Sequence, residues 1–307
     1  GSMNLSYMPD DLGATGSSDS PNSTWRGYRS AQCNGLAFDP TLEYPPPLMA
    51  DGVTTYANAS FTAAPFDGYV VGSPPTDLSN SVYYNYKGTQ PRMGWVYTSA
   101  GPVNNTFLQE CKTSTTSSTA ANALFEPVTV TSTSAEAQKY ANWYSYYRKR
   151  YLLMRTSMGR AISKLDASYR VGFSRINKDT VTNGDDFRDV KDFDTQQKID
   201  FYGSLYGATP SGNTPLRKAL SKAGRYFANK VSGQAYDPVQ YSCQRNFALL
   251  STDGYWNSSY GVDLAGNNVG QQDGAEARPM RDGSTVVDTT VVTHTASATR
   301  NSTVTTT

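Results

Sequence analysis

The order of patterned segments predicts an α/β layered sheet, on three observations. Residues 246–256 hold an apolar run, Phe247 to Leu250, that stops at Asp253-Gly254, the pattern of a buried strand ending in a turn. Residues 134–166 repeat apolar and aromatic side chains at spacings of three and four, the period of one long helix. Between them lie two β-prone and two helical segments. The order from residue 134 is therefore helix, strand, strand, helix, helix, strand, which packs as helices against a sheet.

Each element has its own signal. Residues 10–132 are rich in Gly, Pro, Ser, Thr and Tyr. Val82-Tyr83-Tyr84-Asn85-Tyr86, Trp95-Val96-Tyr97 and Pro127-Val128-Thr129-Val130 read as short strands among turn clusters such as Pro45-Pro46-Pro47 and Asp51-Gly52. Nothing here makes a self-sufficient core, so this large insertion must lean on other elements. Thr133 with Glu136 forms a capping box, and no Pro or Gly interrupts until Gly159. Tyr140, Trp143, Tyr144, Tyr147, Tyr151, Met154, Met158, Ile162 and Leu165 form the core face of a helix of about 50 Å, with Ser157-Met158-Gly159 as the place for a bend. Lys139, Arg148, Lys149, Arg150 and Arg155 read as its solvated outer side.

Tyr169 to Ile176 is the next strand, with Val171 and Phe173 on one face, and Asn183-Gly184-Asp185-Asp186 turns it into a second near Phe187–Phe193. Asp194 and Gln197 cap a helix of about ten residues carrying Ile199, Phe201, Tyr202 and Leu205. Thr214-Pro215 opens another, as N-cap and first-turn proline, with Leu216, Leu220, Ala223, Tyr226 and Phe227 facing inward. From Ser284 to Thr307 the chain is mostly Thr, Val and Ser, an extended or disordered tail without a core face.

Composition narrows the function classes. A chain of 307 residues can bury a substantial core. Its formal charge of +1 offers no basic surface for nucleic acid. With 17% charged residues and 22 Tyr, the neutral, hydroxyl-rich surface is of a kind common in exported proteins. No apolar stretch approaches the roughly 20 residues that span a bilayer, and any export signal would lie upstream of residue 1. Cys33, Cys111 and Cys243 show no CxxC spacing, which argues against zinc. Cys33–Cys111 is the favoured disulfide, both lying in the Tyr/Pro/Ser-rich region, with Cys243 at the edge of a core strand; three reduced thiols is the open alternative. The single histidine, His294, sits in the Thr-rich tail, which excludes a histidine-based catalytic pair in the core. Asp185 and Asp186 lack calcium-loop spacing, and Gly203–Gly207 lacks the Lys-Ser/Thr of a phosphate loop. Neither an enzyme nor a small-molecule substrate is indicated.

Three loop positions carry oxygen ligands: Ser2 in Gly1-Ser2-Met3, Thr214 in Asn213-Thr214-Pro215-Leu216, and Asp253 in Thr252-Asp253-Gly254. Hydroxyls and a carboxylate at one end of a sheet suit a hard cation such as Mg²⁺. Singly each has a plainer reading: a helix cap, a turn, and for Gly-Ser-Met a cloning remnant.

Together with Tyr140-Ala141-Asn142-Trp143-Tyr144-Ser145-Tyr146-Tyr147-Arg148, Tyr169-Arg170-Val171-Gly172-Phe173, Thr214 through Leu220, Cys243 through Trp256 and Arg278-Pro279-Met280, these positions resemble the von Willebrand factor A-like domain of the PilC/PilY family. These are type IV pilus tip-associated adhesins and biogenesis factors. The resemblance covers most of residues 1–283. It implies a von Willebrand factor A-like (Rossmann-like) sheet lacking its first strand, with a large loop- and β-rich insertion. Residues 1–9 would end a metal-site loop, 10–132 form the insertion, 133–262 the core, and 263–307 a Gly- then Thr-rich tail. It further implies a metal-ion-dependent adhesion site holding Mg²⁺ (or Ca²⁺ or Mn²⁺). Ser2 matches the last Ser of an Asp-x-Ser-x-Ser motif, Thr214 its Thr and Asp253 its Asp; the motif's own Asp and first Ser fall ahead of residue 1. The implied partners are pilus subunits or a host or surface ligand with an acidic group. The implied location is outside the cytoplasm of a Gram-negative bacterium: pilus tip, outer-membrane surface or periplasm.

Overall fold

The computed structural model describes residues 26–88, 97–98, 101–102, 110–111, 123–252, 260–269, 290–294 and 302–306. The chain divides into two compact units, residues 1–165 and 166–307.

The first unit is built on helices and paired short strands. Strands β1 (Ala64–Pro65) and β2 (Pro75–Thr76) pair antiparallel. So do β3 (Ser81–Tyr86) and β6 (Phe125–Val130), in register from Ser81 opposite Val130 to Tyr86 opposite Phe125. Between them β4 (Tyr97–Thr98) and β5 (Gly101–Pro102) form a further pair. Helices α1 (Ala137–Tyr146) and α2 (Arg150–Ile162) follow. Tyr83 and Val130 from the sheet and Tyr140, Ala141, Trp143 and Tyr144 from α1 bury around Phe38. The Phe38 ring meets Tyr140 edge-on at 4.8 Å and Tyr83 at 5.3 Å, the geometry that aromatic quadrupoles favour.

A loop-rich segment can pack this way only if its backbone groups find partners. The polar tips on α1 and on Tyr147 at its C-terminal end provide them. Trp143 Nε1 donates to the Leu36 carbonyl at 3.0 Å, Tyr146 Oη to Ala57 at 2.9 Å, and Tyr147 Oη to Pro45 at 2.6 Å. Asn142 accepts from the Ala59 N–H at 2.9 Å and donates to Asn58 at 2.9 Å. The Cys33–Cys111 disulfide forms across a separation of 78 residues, beside Tyr86 and Phe125.

The single 134–166 helix is in fact two, broken at Tyr147–Lys149 and continuous through Ser157-Met158-Gly159. The break is stable because each of the last four α1 carbonyls still has a partner. Trp143 O accepts from the N–H groups of Tyr147 and Arg148, Tyr144 O from the Arg148 side chain, Ser145 O from the Gly68 N–H, and Tyr146 O from Thr156 Oγ1. The capping box does not form either. Glu136 occupies the N-cap with no side-chain bond, while Ser134 Oγ accepts from the Thr131 N–H at 2.9 Å, a local turn that outcompetes the cap. Arg148 and Arg155 are not on a solvated face: they are 2% and 1% exposed. Both follow a tyrosine by four residues, Tyr144 and Tyr151, and so share the aromatic stripe. Arg148 lies 3.8 Å from the centre of the Tyr144 ring and 4.4 Å from that of Phe66. Arg155 pairs with Asp67 at 3.2 Å beside the Tyr151 ring.

The second unit pairs β7 (Arg170–Ser174) with β8 (Phe187–Asp192) antiparallel, with an irregularity at Gly172. A Cβ at Gly172 would sit 2.7 Å from the Arg188 carbonyl, so the bulge requires glycine. Helix α3 (Thr195–Gly207) starts as expected, with Asp194 accepting from the Gln197 N–H at 2.9 Å. The Gln197 side chain turns into the sheet, donating to Val171 O and Asp189 O at 2.7 Å each. Helix α4 (Leu216–Phe227) buries Tyr226, whose hydroxyl donates to Asp189 at 2.8 Å and accepts from the Val190 N–H at 3.1 Å. Leu220, expected inward, is exposed. Strands β9 (Gly261–Val262) and β10 (Asn268–Val269) form a pair tied to α4 through the Val262 N–H on Ser221 Oγ. In the tail, β11 (Thr290–His294) and β12 (Ser302–Thr306) pair antiparallel.

The class is thus mixed α and β, but the layered sheet is not observed. Among the described residues every sheet is two-stranded and every pairing antiparallel. Residues 246–252 form no strand, and Phe247 and Leu249 are 82% and 76% exposed. Apolar content predicts burial, yet a strand exists only through lateral pairing, and no described strand lies beside this run. Cys243 consequently edges no strand; it lies in an exposed turn.

Candidate functional site

Of the three proposed ligands, Thr214 lies among the described residues; Ser2 and Asp253 lie outside them. Thr214 does not cap α4. Pro215 occupies the cap position at φ −83°, ψ 65°, and the Leu216 N–H reaches back to the Thr214 carbonyl at 3.0 Å. These are the marks of an inverse γ-turn centred on Pro215. The turn delays the helix by a residue, so that Pro215 and not Thr214 is its N-cap residue.

The loop leading to Thr214 is braced from the β7–β8 connection. The Arg175 guanidinium binds Asp186 at 2.8 Å and reaches across to the Thr209 carbonyl and to Ser211 Oγ at 3.1 Å. Asn177 Nδ2 donates to the Ser211 carbonyl. Gly212 sits at φ +72°, the left-handed region that favours glycine, and a Cβ there would press on Asn177 Nδ2 at 3.0 Å.

Charges around this loop are paired internally. Lys218 binds Asp179 at 2.6 Å, and Lys178 approaches Asp186 at 3.5 Å. Lys222 from α4 donates to the Lys178 and Arg175 carbonyls, and burial pulls its pKa below the ordinary lysine value. Asp186, one of the two carboxylates in the polar turn, is therefore committed to Arg175 and Lys178. Among the described residues no group of three or more His, Cys, Asp or Glu is placed to hold a metal ion. The described part of the site is thus one hydroxyl-bearing turn, Thr214, on a loop fixed by Arg175 and Asn177.

Sequence reading missed Arg175 as that brace; its one signal was a cationic residue at the end of a strand, facing a Ser/Thr/Gly-rich loop. It also missed the Asn183–Asp189–Tyr226 network. There Asn183 binds both the Asp189 carboxylate and its N–H at 2.7 Å, and Tyr226 takes the second carboxylate oxygen. Burial, with the hydrogen bond to Asp189, raises the Tyr226 pKa. The Asp carboxylate and the helical Tyr are 37 residues apart, too far for any local pattern to connect them.

No family model matches the chain, and no solved structure does. Curated relatives do match. The chain is 32% identical over 283 residues to the type IV pilus biogenesis factor PilY1 of Pseudomonas aeruginosa strain UCBPP-PA14, covering 84% of this chain and 22% of that protein. It is 29% identical over 282 residues to PilY1 of strain PAK, covering 84% of this chain and 23% of the relative. Against PilY1 of strain PAO1 it is 29% identical over 305 residues, covering 92% of this chain and 24% of the relative. The chain spans about a quarter of the length of these relatives. By this near end-to-end likeness, the chain belongs to the PilC/PilY family.

Proposed function

We propose that this chain is a non-enzymatic binding domain of an exported, type IV pilus-associated protein. It would engage an acidic partner group through a divalent cation held by Ser2, Thr214 and Asp253. The observation that carries the reading is the likeness over 84–92% of the chain to proteins named as type IV pilus biogenesis factors. The disulfide supports export, because such bonds persist in oxidising compartments. The Thr214 turn suits the role: the loop that carries it is fixed by Arg175. Mg²⁺ takes oxygen ligands in octahedral geometry and keeps open positions for water or a partner's carboxylate.

A second reading keeps the metal site but confines it to bracing loops in a structural pilus-assembly factor. One experiment separates the two. Thr214→Ala and Asp253→Ala are made in this chain, and Mg²⁺ and Mn²⁺ are titrated by calorimetry. The adhesion reading expects loss of cation binding and of cation-dependent attachment to surfaces, with unchanged melting temperature in EDTA. The bracing reading expects a lower melting temperature with Mg²⁺ and normal attachment of assembled pili. Identical cation titrations for wild type and both variants sink the metal site in either form.

A further inference from the structure

We propose that Arg29 and the aromatic niche beside it form a carboxylate-binding site in the first unit, one that takes an acidic group without any metal ion. The inference uses none of Ser2, Thr214 and Asp253, so it stands or falls apart from the cation site proposed above.

The niche opens to solvent where the 3-10 turn Arg26–Arg29 meets β3 and α1. Arg29 lines it with Phe38, Val82, Tyr83, Tyr140 and Trp143, around a space of about 190 Å³. The enclosed part of that space is about the size of one water molecule. The two arginines of the turn differ. Arg26 lies over the Tyr84 ring at 5.4 Å. Arg29 is partly buried, and among the described residues its guanidinium has no hydrogen-bond or ion-pair partner. A guanidinium carries five donors and stays charged. Partial burial removes some of its water, so a carboxylate brought to it gains a forked, charge-assisted bond. The charge is felt inside the niche: burial raises the Tyr140 pKa, and Arg29 opposes the rise.

The walls are preformed. Gly27 packs on the Cys111 backbone with no room for a Cβ, next to the Cys33–Cys111 bond. Asn34, buried, donates from Nδ2 to the Tyr28 carbonyl at 2.8 Å and accepts the Leu36 N–H at 3.0 Å. The Leu36 carbonyl in turn holds Trp143 Nε1. The Phe38 ring closes against Tyr140 at 4.8 Å and Trp143 at 5.8 Å. A site already in place loses little freedom when it binds.

Size and charge select the ligand. A carboxylate head fits the enclosed part with its stem in the open part, whereas a sugar ring or a nucleotide base does not. Glu136 and Asp39 act on Tyr83, another residue of the niche, and neither pairs with Arg29. The Asp39 carboxylate is held by the Thr41 N–H and hydroxyl. One cation with two acids nearby suits a single negative charge and disfavours a phosphate dianion; an organic cation is repelled by Arg29 itself.

The test follows the Arg29 Nε–H and Trp143 Nε1–H signals by proton–nitrogen NMR. Acetate, chloride and inorganic phosphate are titrated at constant ionic strength into the wild-type chain and into Arg29→Gln, Arg29→Lys and Thr214→Ala. Acetate should shift both signals saturably, and chloride should not. Arg29→Gln should raise the acetate Kd about tenfold or more. Arg29→Lys, which keeps the charge and loses the fork, should raise it by a smaller factor; should the Gln variant fail to fold, the Lys variant carries the comparison. EDTA and Thr214→Ala should change nothing. N-acetylalanine and N-acetylglutamate amide then show whether a chain end or an acidic side chain binds more tightly. Unsaturable shifts, phosphate binding tighter than acetate, acetate binding lost in EDTA, or equal Kd in wild type and both Arg29 variants would each overturn the site.

Discussion

Replacing Asp67 by Asn probes the element on which the first unit is organised. The Asp67 carboxylate lies 3.2 Å from Arg155 Nη1, with the two side chains 14% and 2% exposed. Removing one partner of a buried ion pair costs about 3–5 kcal/mol, because the remaining charge stays desolvated. Arg155 keeps the faces of Tyr151 at 4.9 Å and Tyr69 at 5.4 Å, and such contacts return about 0.5–2 kcal/mol. The net expectation is a loss of about 2–4 kcal/mol, a large share of a typical domain's stability. Urea unfolding followed by near-ultraviolet circular dichroism measures it. Arg155→Met with Asp67→Asn closes a double-mutant cycle, and the pair should lose less than the sum of the single changes. If Asp67→Asn shifts stability by under about 0.5 kcal/mol, within the range of ordinary surface changes, Arg155 is not held by this carboxylate and the reasoning fails.

Two further outcomes follow from the same unit. Replacing Cys33 and Cys111 by Ser frees a loop with a sequence separation of 78. It should destabilise the protein by up to about 4.5 kcal/mol on the chain-entropy account, read as a lower urea midpoint; an unchanged midpoint refutes that tie. The second concerns the tyrosines. Burial pushes the hydroxyls of Tyr44, Tyr140, Tyr146 and Tyr147 from 10.0 up to about 12. A raised folded pKa contributes stability that is complete below pH 10 and is lost as pH rises through 12. Absorbance at about 295 nm should therefore show these four buried rings forming tyrosinate only together with unfolding, well above pH 10. A single smooth titration centred near pH 10 would contradict the burial.

How much was legible depends on whether a pattern was local. The β7–turn–β8 hairpin and the Asp194 cap follow from signals within a few residues, Asn183-Gly184 and Asp194-x-x-Gln197, and each lies close to where it was expected. The α1 and α2 stripe was legible as apolar, but its break was not. The break is set by Gly68, Thr156 and Arg148 reaching the α1 carbonyls, contacts that helical periodicity does not encode. The misplacing of Arg148 and Arg155 came from reading charge as exposure, although their spacing from Tyr144 and Tyr151 already put them on the aromatic side. At the candidate site, Asn213-Thr214-Pro215 permits both a cap and a γ-turn. Only the position of Pro215 at ψ 65° decides for the turn.

The apolar run at 247–250 joins the two halves of the reading. Its composition calls for a sheet interior, yet Phe247 and Leu249 lie exposed and unpaired with any described strand. Arg170, at the start of β7, holds Gln244 at 3.1 Å and the Pro238 carbonyl at 2.7 Å. Arg170 thus ties the segment ahead of the run to the start of β7, which among the described residues is paired with β8 alone. In the proposed function a strand ending in Asp-x-Ser would answer both needs at once. It would give β7 and residues 247–250 a lateral partner, and it would bring a carboxylate to the cation site proposed to include Thr214. Cation affinity and protection of the 247–250 amides from hydrogen exchange should then rise together when that strand is present. Protection without any gain in Mg²⁺ affinity would separate the fold from the site.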